Sequence, residues 1–249
     1  MSNVTKSSLL AGISTDVEVE VNDLKDRQGS SFIDKNGIYT ATIEQAILHK
    51  TKSKGVCCTL LFRGENSIDI DLYIVSFKNK KLTTTCIMGG KTVSLPDYKL
   101  FKQMYAVATG EAKPLEELDV KEDVVKYKKF GKDVKLEGET VVDLIGKTIQ
   151  LGISLQANYA WNAEDKEVDK TEYSVDRNGD VRLTPNLDSV FNTDGFSAEE
   201  IITEATEAKV IVSKKTYLES DKAIYYPKLE EKEVEEEEVV EEIEDDLDF

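Results

Sequence analysis

Side chains that carry covalent or metal chemistry are scarce in this sequence. Its 249 residues include one histidine, His49, and three cysteines, Cys57, Cys58 and Cys86. A zinc centre needs about four Cys, His or carboxylate ligands at workable spacing, and no such cluster is visible. A Cys–His nucleophilic pair would have to use His49 with one of the cysteines. The reading these residues favour is a loop histidine and three buried strand cysteines, since free cysteine packs as a small apolar side chain. Two adjacent cysteines and one left over build no disulfide framework, which suits a reducing compartment. GxxxxGK[ST] and GxGxxG are absent, and Met88-Gly89-Gly90-Lys91-Thr92 reads as a flexible loop after a strand. Asp69 and Asp71 share one strand face, and their alternation with Ile68, Ile70 and Leu72 makes that face the solvent side. The expectation is therefore no catalytic residue, no metal, no cofactor and no enzyme.

Long apolar runs are missing as well. No stretch approaches the roughly 18 residues of a membrane span. The opening MSNVTKSSLLAGISTD has no charged region followed by an apolar core. No membrane partner is expected, and the cytoplasm is the expected location.

Acid, in contrast, is abundant and unevenly placed. The formal charge is −17, from 49 acids and 32 bases. Residues 229–249 hold 13 of those acids against one base, Lys232, so the body keeps 36 acids and 31 bases. Within the body, residues 45–102 carry ten Lys/Arg and four Asp/Glu. A basic stretch inside an acidic protein points to an anionic partner.

Residues 1–36 are polar, with DVEVEV as the one patterned piece, and read as an N-terminal arm or peripheral strand. From Gly37, GIYTATIEQAIL, VCCTLLFRG, IDIDLYIVSF and LTTTCIM form a β-meander on short connections. Ser94-Leu95-Pro96-Asp97 has the form of a helix start capped by Ser94. Leu100, Phe101, Met104, Tyr105 and Ala108 then follow at helical spacing to Gly110, predicting a helix over about 96–109. Residues 111–145 read as a charged insertion without a strong period. GKTIQLGISLQA returns to alternation, with Ile149, Leu151, Ile153 and Leu155 facing in. Strands at TEYSV and VRLT are separated by a turn at DRNGD. Phe196-Ser197-Ala198-Glu199-Glu200 opens a short helix of about 198–208. A final strand KVIVSKKTYL and the segment AIYYP complete a domain over 37–228.

This order predicts a mainly β fold with one or two short helices, arranged as a five-stranded Greek-key OB-like barrel with insertions and a disordered acidic tail. OB barrels bind oligonucleotides on their strand 2–3 face and through two loops, L12 and L45. The first loop is HKTKSKG, with Lys50, Lys52 and Lys54. The second is NYAWNAEDKEVD, with Tyr159 and Trp161. Single-strand binding needs cations that track the backbone and aromatic faces on which bases stack, worth about 1–3 kcal/mol per base. The expected backbone contacts are Lys50, Lys52, Lys54, Arg63, Lys78, Lys80, Lys81, Lys128, Lys129 and Lys132. The expected stacking residues are Tyr73, Phe77, Tyr127, Phe130, Tyr159 and Trp161, with 127–132 as a flap over the groove. Tyr159 and Trp161 continue the inward parity of Ile149–Leu155, so core and groove both stay open for them. Phe62 and Tyr105 belong to the core.

The chain closes on EEIEDDLDF. An acid run of this kind cannot pack a core. Its apolar residues Val239, Val240, Ile243 and Leu247 fall at helical spacing, and Phe249 offers a ring beside a carboxylate. An OB-like body with an acidic C-terminus ending Asp-Asp-Leu-Asp-Phe resembles the single-stranded-DNA-binding proteins of tailed bacteriophages. The resemblance implies strand coating in DNA replication, recombination and repair inside an infected bacterium. It further implies a tail (Ile243, Asp245, Asp246, Leu247, Asp248, Phe249) that competes with DNA for the groove. The same tail would dock phage or host replication proteins such as a polymerase or a helicase–primase. Some relatives carry a zinc site, for which no ligands are apparent here. Homo-oligomerisation is left open by the sequence. The rival reading is an acidic-tailed adaptor or chaperone that binds basic proteins without DNA.

Overall fold

The computed structural model describes residues 5–10, 33, 35–64, 68–78, 80–129, 132–162, 167–176 and 178–230. The acidic run from 231 onward and the DVEVEV segment lie outside them. The chain divides into two compact units, 1–157 with 183–226, and 158–182 with 227–249.

In the first unit, β1 (Thr5–Lys6) precedes the meander β2 (Gly37–Lys50), β3 (Val56–Gly64), β4 (Ile68–Lys78) and β5 (Lys81–Thr83). A small hairpin, β6 (Thr85–Met88) and β7 (Lys91–Ser94), leads into α1 (Pro96–Thr109). Then come β8 (Asp119–Lys129), β9 (Lys132–Val141) and β10 (Thr148–Ala157). The second unit contributes β11 (Tyr159–Asn162) and β12 (Glu167–Tyr173). The first unit resumes with β13 (Leu183–Phe191), α2 (Ala198–Ile202), α3 (Val210–Leu218) and β14 (Ile224–Tyr225).

The protein is mainly β, built on a sheet that curls into a half-barrel. Its strand order is β1-β8-β9-β2-β3-β4-β5, and β10 branches from β2 carrying β13 and β14. The curl originates in β2. Its first half pairs with β10 (Thr42↔Thr148) and its second half with β9 (Leu48↔Glu139). The ladder to β3 shifts register between Ile43 and Gln45, where the strand bends, as a bulge does. At the branch, Ile43 donates to the Lys147 carbonyl and accepts from the Gly146 amide, so the backbone groups freed by the bend are paired.

One face of the curled sheet and one face of α1 share a core. Ile43, Leu48, Leu60, Phe62, Ile70, Leu72, Phe101, Met104, Ile149 and Leu151 are all buried in it. The helix lies where its period places it and ends on Gly110 in the left-handed region, φ 81°. Its start differs from expectation. Leu95, not Ser94, is the N-cap, and Ser94 pairs with Thr85 in the preceding hairpin. Asp97, which the sequence placed in a capping box, is buried and accepts the Tyr73 amide of β4 at 2.8 Å. That bond pins the helix to the sheet.

The described residues hold three α-helices, where one or two short ones were expected, because KVIVSKKTYL is helical and not a strand. Its Val-Ile-Val run has strand propensity, which tertiary context overrides. The deciding group is Glu200. Its carboxylate closes a capping box with Ser197 and also accepts the Lys209 and Val210 amides at 2.7 and 2.9 Å, at the start of α3. Burial raises its pKa, but these donors outweigh burial and hold it below the ordinary glutamate value. A depressed folded-state pKa stabilises above the unfolded value, and that stability is lost as pH falls through the folded pKa. Glu200→Gln is expected to cost about 2 kcal/mol at pH 7. The gap to the native protein should narrow below pH 4 in urea melts.

Residues 111–145 are likewise no irregular insertion. The hairpin β8–β9 belongs to the main sheet, joined to β2 on one side and to β1 on the other. Glu139, buried on β9, accepts the Ser8 amide at 2.9 Å and bonds from both serine hydroxyls of Ser7 and Ser8. Residues 7–9 of the expected N-terminal arm are tied down there, with Leu10 fully buried. A second tie is ionic. Lys113 and Lys6 hold Asp119 down to about 2, while burial and the bond to Asp143 raise Tyr105.

In the second unit, β11 and β12 pair antiparallel, so much of the expected L45 loop is a hairpin. DRNGD turns as predicted, with the Asp176 carboxylate accepting the Asn178 and Asp180 amides.

Candidate nucleic-acid interface

Two short connections at one end of the β2–β3–β4 meander carry most of the candidate cations. The first joins β2 to β3 through residues 51–55. Thr51 receives the Lys54 amide on its carbonyl and gives its own amide to Gly55, closing a tight turn with Lys54 left-handed at φ 66°. Gly55 is required there, because a Cβ would stand 2.4 Å from the Val75 carbonyl of β4. The second connection joins β4 to β5. Lys78 pairs with Lys81, and Lys80 is also left-handed, φ 60°.

Register brings the two together. Val56 opposes Val75, and Lys54 Nζ sits 5.7 Å from the centre of the Phe77 ring. This cation–π contact joins the loop to the strand end. Lys50, Lys52, Lys54, Lys78, Lys80 and Lys81 are all exposed. None of the six has an acidic partner within 4 Å among the described residues. Tyr73 and Phe77, the aromatic candidates on β4, are 52% and 38% exposed. Like charges gathered without counter-ions repel one another, and the gathering is relieved by an anionic ligand.

The next hairpin extends the same chain region. Gly89 and Gly90 both have positive φ, 56° and 79°, and close β6–β7 as a two-residue turn where a flexible loop was expected. Ile87 and Met88 are exposed at its tip beside Lys91. Gly-Gly between alternating residues was the available sign of that turn.

Arg63 does not join the cluster. It lies at the opposite end of β3 and pairs with Glu44 at 2.8 Å. Glu44 sits at the β2 bulge, which no periodicity reveals. Lys128, Lys129 and Lys132 sit at the tip-facing ends of β8 and β9, and Tyr127 on β8 is half-buried opposite Val134. Because β9 runs antiparallel to β2, its residues before Glu139 continue past Lys50. Lys129 and Lys132, still paired with each other, therefore lie toward the lysine-bearing end of the sheet. Phe130 lies outside the described residues.

Tyr159 and Trp161 belong to the second unit. The question of core or surface is answered for each. Trp161 is 63% exposed opposite Val168, and Tyr159 is half-buried with its hydroxyl on the Lys228 carbonyl. Ile243, Asp245, Asp246, Leu247, Asp248 and Phe249 lie outside the described residues. Phe62 and Tyr105 are core, as expected.

The sequence reading holds for Cys57 and Cys58, buried on β3, and fails for His49 and for the burial of Cys86. His49 is a half-buried strand residue, Cys57 and Cys58 are buried, and Cys86 is only half-buried. No family model, curated protein or solved structure matches this chain.

Proposed function

We propose that this protein binds single-stranded DNA without sequence preference, in the manner of the phage proteins its composition resembles. The carrying observation is the set of six exposed lysines, none with an acidic partner among the described residues, on two connections that Lys54 over Phe77 brings together. The strand order supports an OB-like body. The bent strand β2 is shared by two halves, the rest of the meander follows, and α1 and the β8–β9 hairpin precede β10, which carries β13.

The acidic tail acts on this surface. Its net charge of −12 over residues 229–249 is tethered to a body whose segment 45–102 is +6. Tethering gives an effective concentration on the order of millimolar. DNA must displace the tail, which lowers its apparent affinity, and salt screens both attractions. Replication proteins would engage the tail once DNA frees it.

Fluorescence anisotropy of labelled oligo-dT, with full-length protein and a 1–228 truncation, tests both statements. The truncation should bind about tenfold more tightly at low salt, converging with the full chain as salt rises. Equal affinities would remove the competition. If neither protein bound, the DNA reading would fall, and affinity for cationic proteins would then identify an acidic adaptor.

A further inference from the structure

The polar groups of the β2–β3–β4 meander make a second site on the sheet face opposite the shared core. His49, Cys57 and Asp71 come from three successive strands. A ring nitrogen, the thiol sulfur and a carboxylate oxygen lie within 4.8 Å of one another. His49 and Cys57 are cross-strand partners. The ladder between β3 and β4 shifts register between Val56 and Cys58, at Cys57. We propose that these three side chains bind a zinc ion, leaving one coordination position open.

The chemistry of the donors selects the cation. Thiolate with imidazole disfavours calcium and magnesium, which take oxygen ligands, and suits zinc or a similar borderline metal. Charge also fits. A divalent ion with one thiolate and one carboxylate is neutral, which a half-buried site tolerates. Binding removes one proton, from the Cys57 thiol.

Thr59 already organises the set. Its hydroxyl, on a residue 1% exposed, donates to Asp71 Oδ1 at 2.6 Å and lies 3.0 Å from His49 Nε2. A hydroxyl has one proton, so toward His49 it accepts, and Nε2 carries the ring proton. Nδ1 then holds the lone pair. If the cation takes Thr59's place at Nε2, the proton moves to Nδ1. A bonded partner that fixes the imidazole tautomer is the usual support of a histidine ligand. Zinc bonds of about 2.0–2.3 Å require the three donors to draw about 1 Å closer. Cys57 is 1% exposed, while His49 and Asp71 are half-buried and leave an approach from solvent.

The placement gives the ion a task. His49 and Cys57 flank the lysine-bearing connection, and Asp71 lies two residues before Tyr73. A bound ion ties the base of that connection to β4.

Cobalt(II) is the spectroscopic probe, added to metal-free full-length protein. One equivalent should produce thiolate charge-transfer absorption and the visible bands of four-coordinate cobalt, and zinc should abolish them. C57S should lose the charge-transfer band. H49Q and D71N should weaken binding by at least about a hundredfold, while C86S leaves the titration unchanged. Far-UV circular dichroism of each metal-free variant checks folding, and the half-exposed D71N serves if C57S unfolds. No cobalt spectrum at one equivalent, or an unaltered one in C57S or D71N, would overturn the proposal. No readout involves DNA, so the outcome is independent of the nucleic-acid reading.

Discussion

Replacing Lys52, Lys54 and Lys80 together by glutamate is expected to weaken binding of oligo-dT on the order of a hundredfold at low salt. The three side chains are exposed and have no acidic partner among the described residues, so the fold should tolerate the change. Each phosphate neutralised by a lysine releases condensed counter-ions, with a slope of about −0.7 per contact for single strands. Losing three contacts should therefore flatten the plot of log affinity against log salt by about 2. The slope is the diagnostic, because a general charge effect would lower affinity without removing contacts. Glutamate at the equally exposed Lys35, Lys209 and Lys215 makes the matching control, with the same change in net charge. Equal losses in the two variants would mean that the cluster is not the interface.

The largest stability effect is expected at a residue with no side chain. Gly138 lies on β9 where that strand meets β2, and a Cβ there would stand 2.1 Å from the Leu48 carbonyl oxygen. The same atom would be 3.2 Å from Ile47 Cγ1. A flexible neighbour could swing aside, but a ladder carbonyl cannot move without its strand. Gly138→Ala should therefore cost about 3 kcal/mol, at the upper end for overpacking. In a domain of this size that lowers the melting temperature by about 10 °C. The damage should centre on the short β2–β9 junction and with it the attachment of the β8–β9 hairpin. Hydrogen exchange would report this as lost protection at Ile47, Leu48, Glu139 and Thr140. Gly90→Ala is the instructive contrast, since nothing lies within 4 Å of its would-be Cβ and only its positive φ opposes the change.

Much of this architecture was readable because local and tertiary signals agreed. The stripe from Leu100 to Ala108 has one period, one proline at its start and one glycine at its end, and the helix spans Pro96–Thr109. Ile149, Leu151, Ile153 and Leu155 alternate and are all buried. Where the reading failed, a distant partner made the decision. Nothing local in KVIVSKKTYL announces a helix, because the group that caps it, Glu200, lies nine residues before Lys209. Lys-rich β8 and β9 lack an apolar period because each buries only part of a face, yet their ladder runs from Val120↔Val141 to Lys129↔Lys132. Asp97 matched a capping pattern and found the Tyr73 amide instead.

The candidate site divides in the same way. Exposed lysines in short loops are conspicuous, and Lys50 to Lys54 and Lys78 to Lys81 were readable for that reason. Their adjacency was not, since it depends on the register Val56↔Val75. The pairing of Arg63 with Glu44 was not readable, because Glu44 occupies a bulge. His49, Cys57 and Asp71 are 22 residues apart from first to last, too scattered to read as a ligand set until the meander stacks them.

The chain leaves β10 and returns to β13 at a single rung. Ala157 and Leu183 face each other across β10 and β13, so the 25 residues from 158 to 182 begin and end about 5 Å apart. Topologically the whole segment is one hairpin loop. An Asn-Gly turn could replace it and leave β10 and β13 an ordinary antiparallel pair. The Ala157–Leu183 rung is thus a port at which different loops can be grafted while β10 and β13 keep their register.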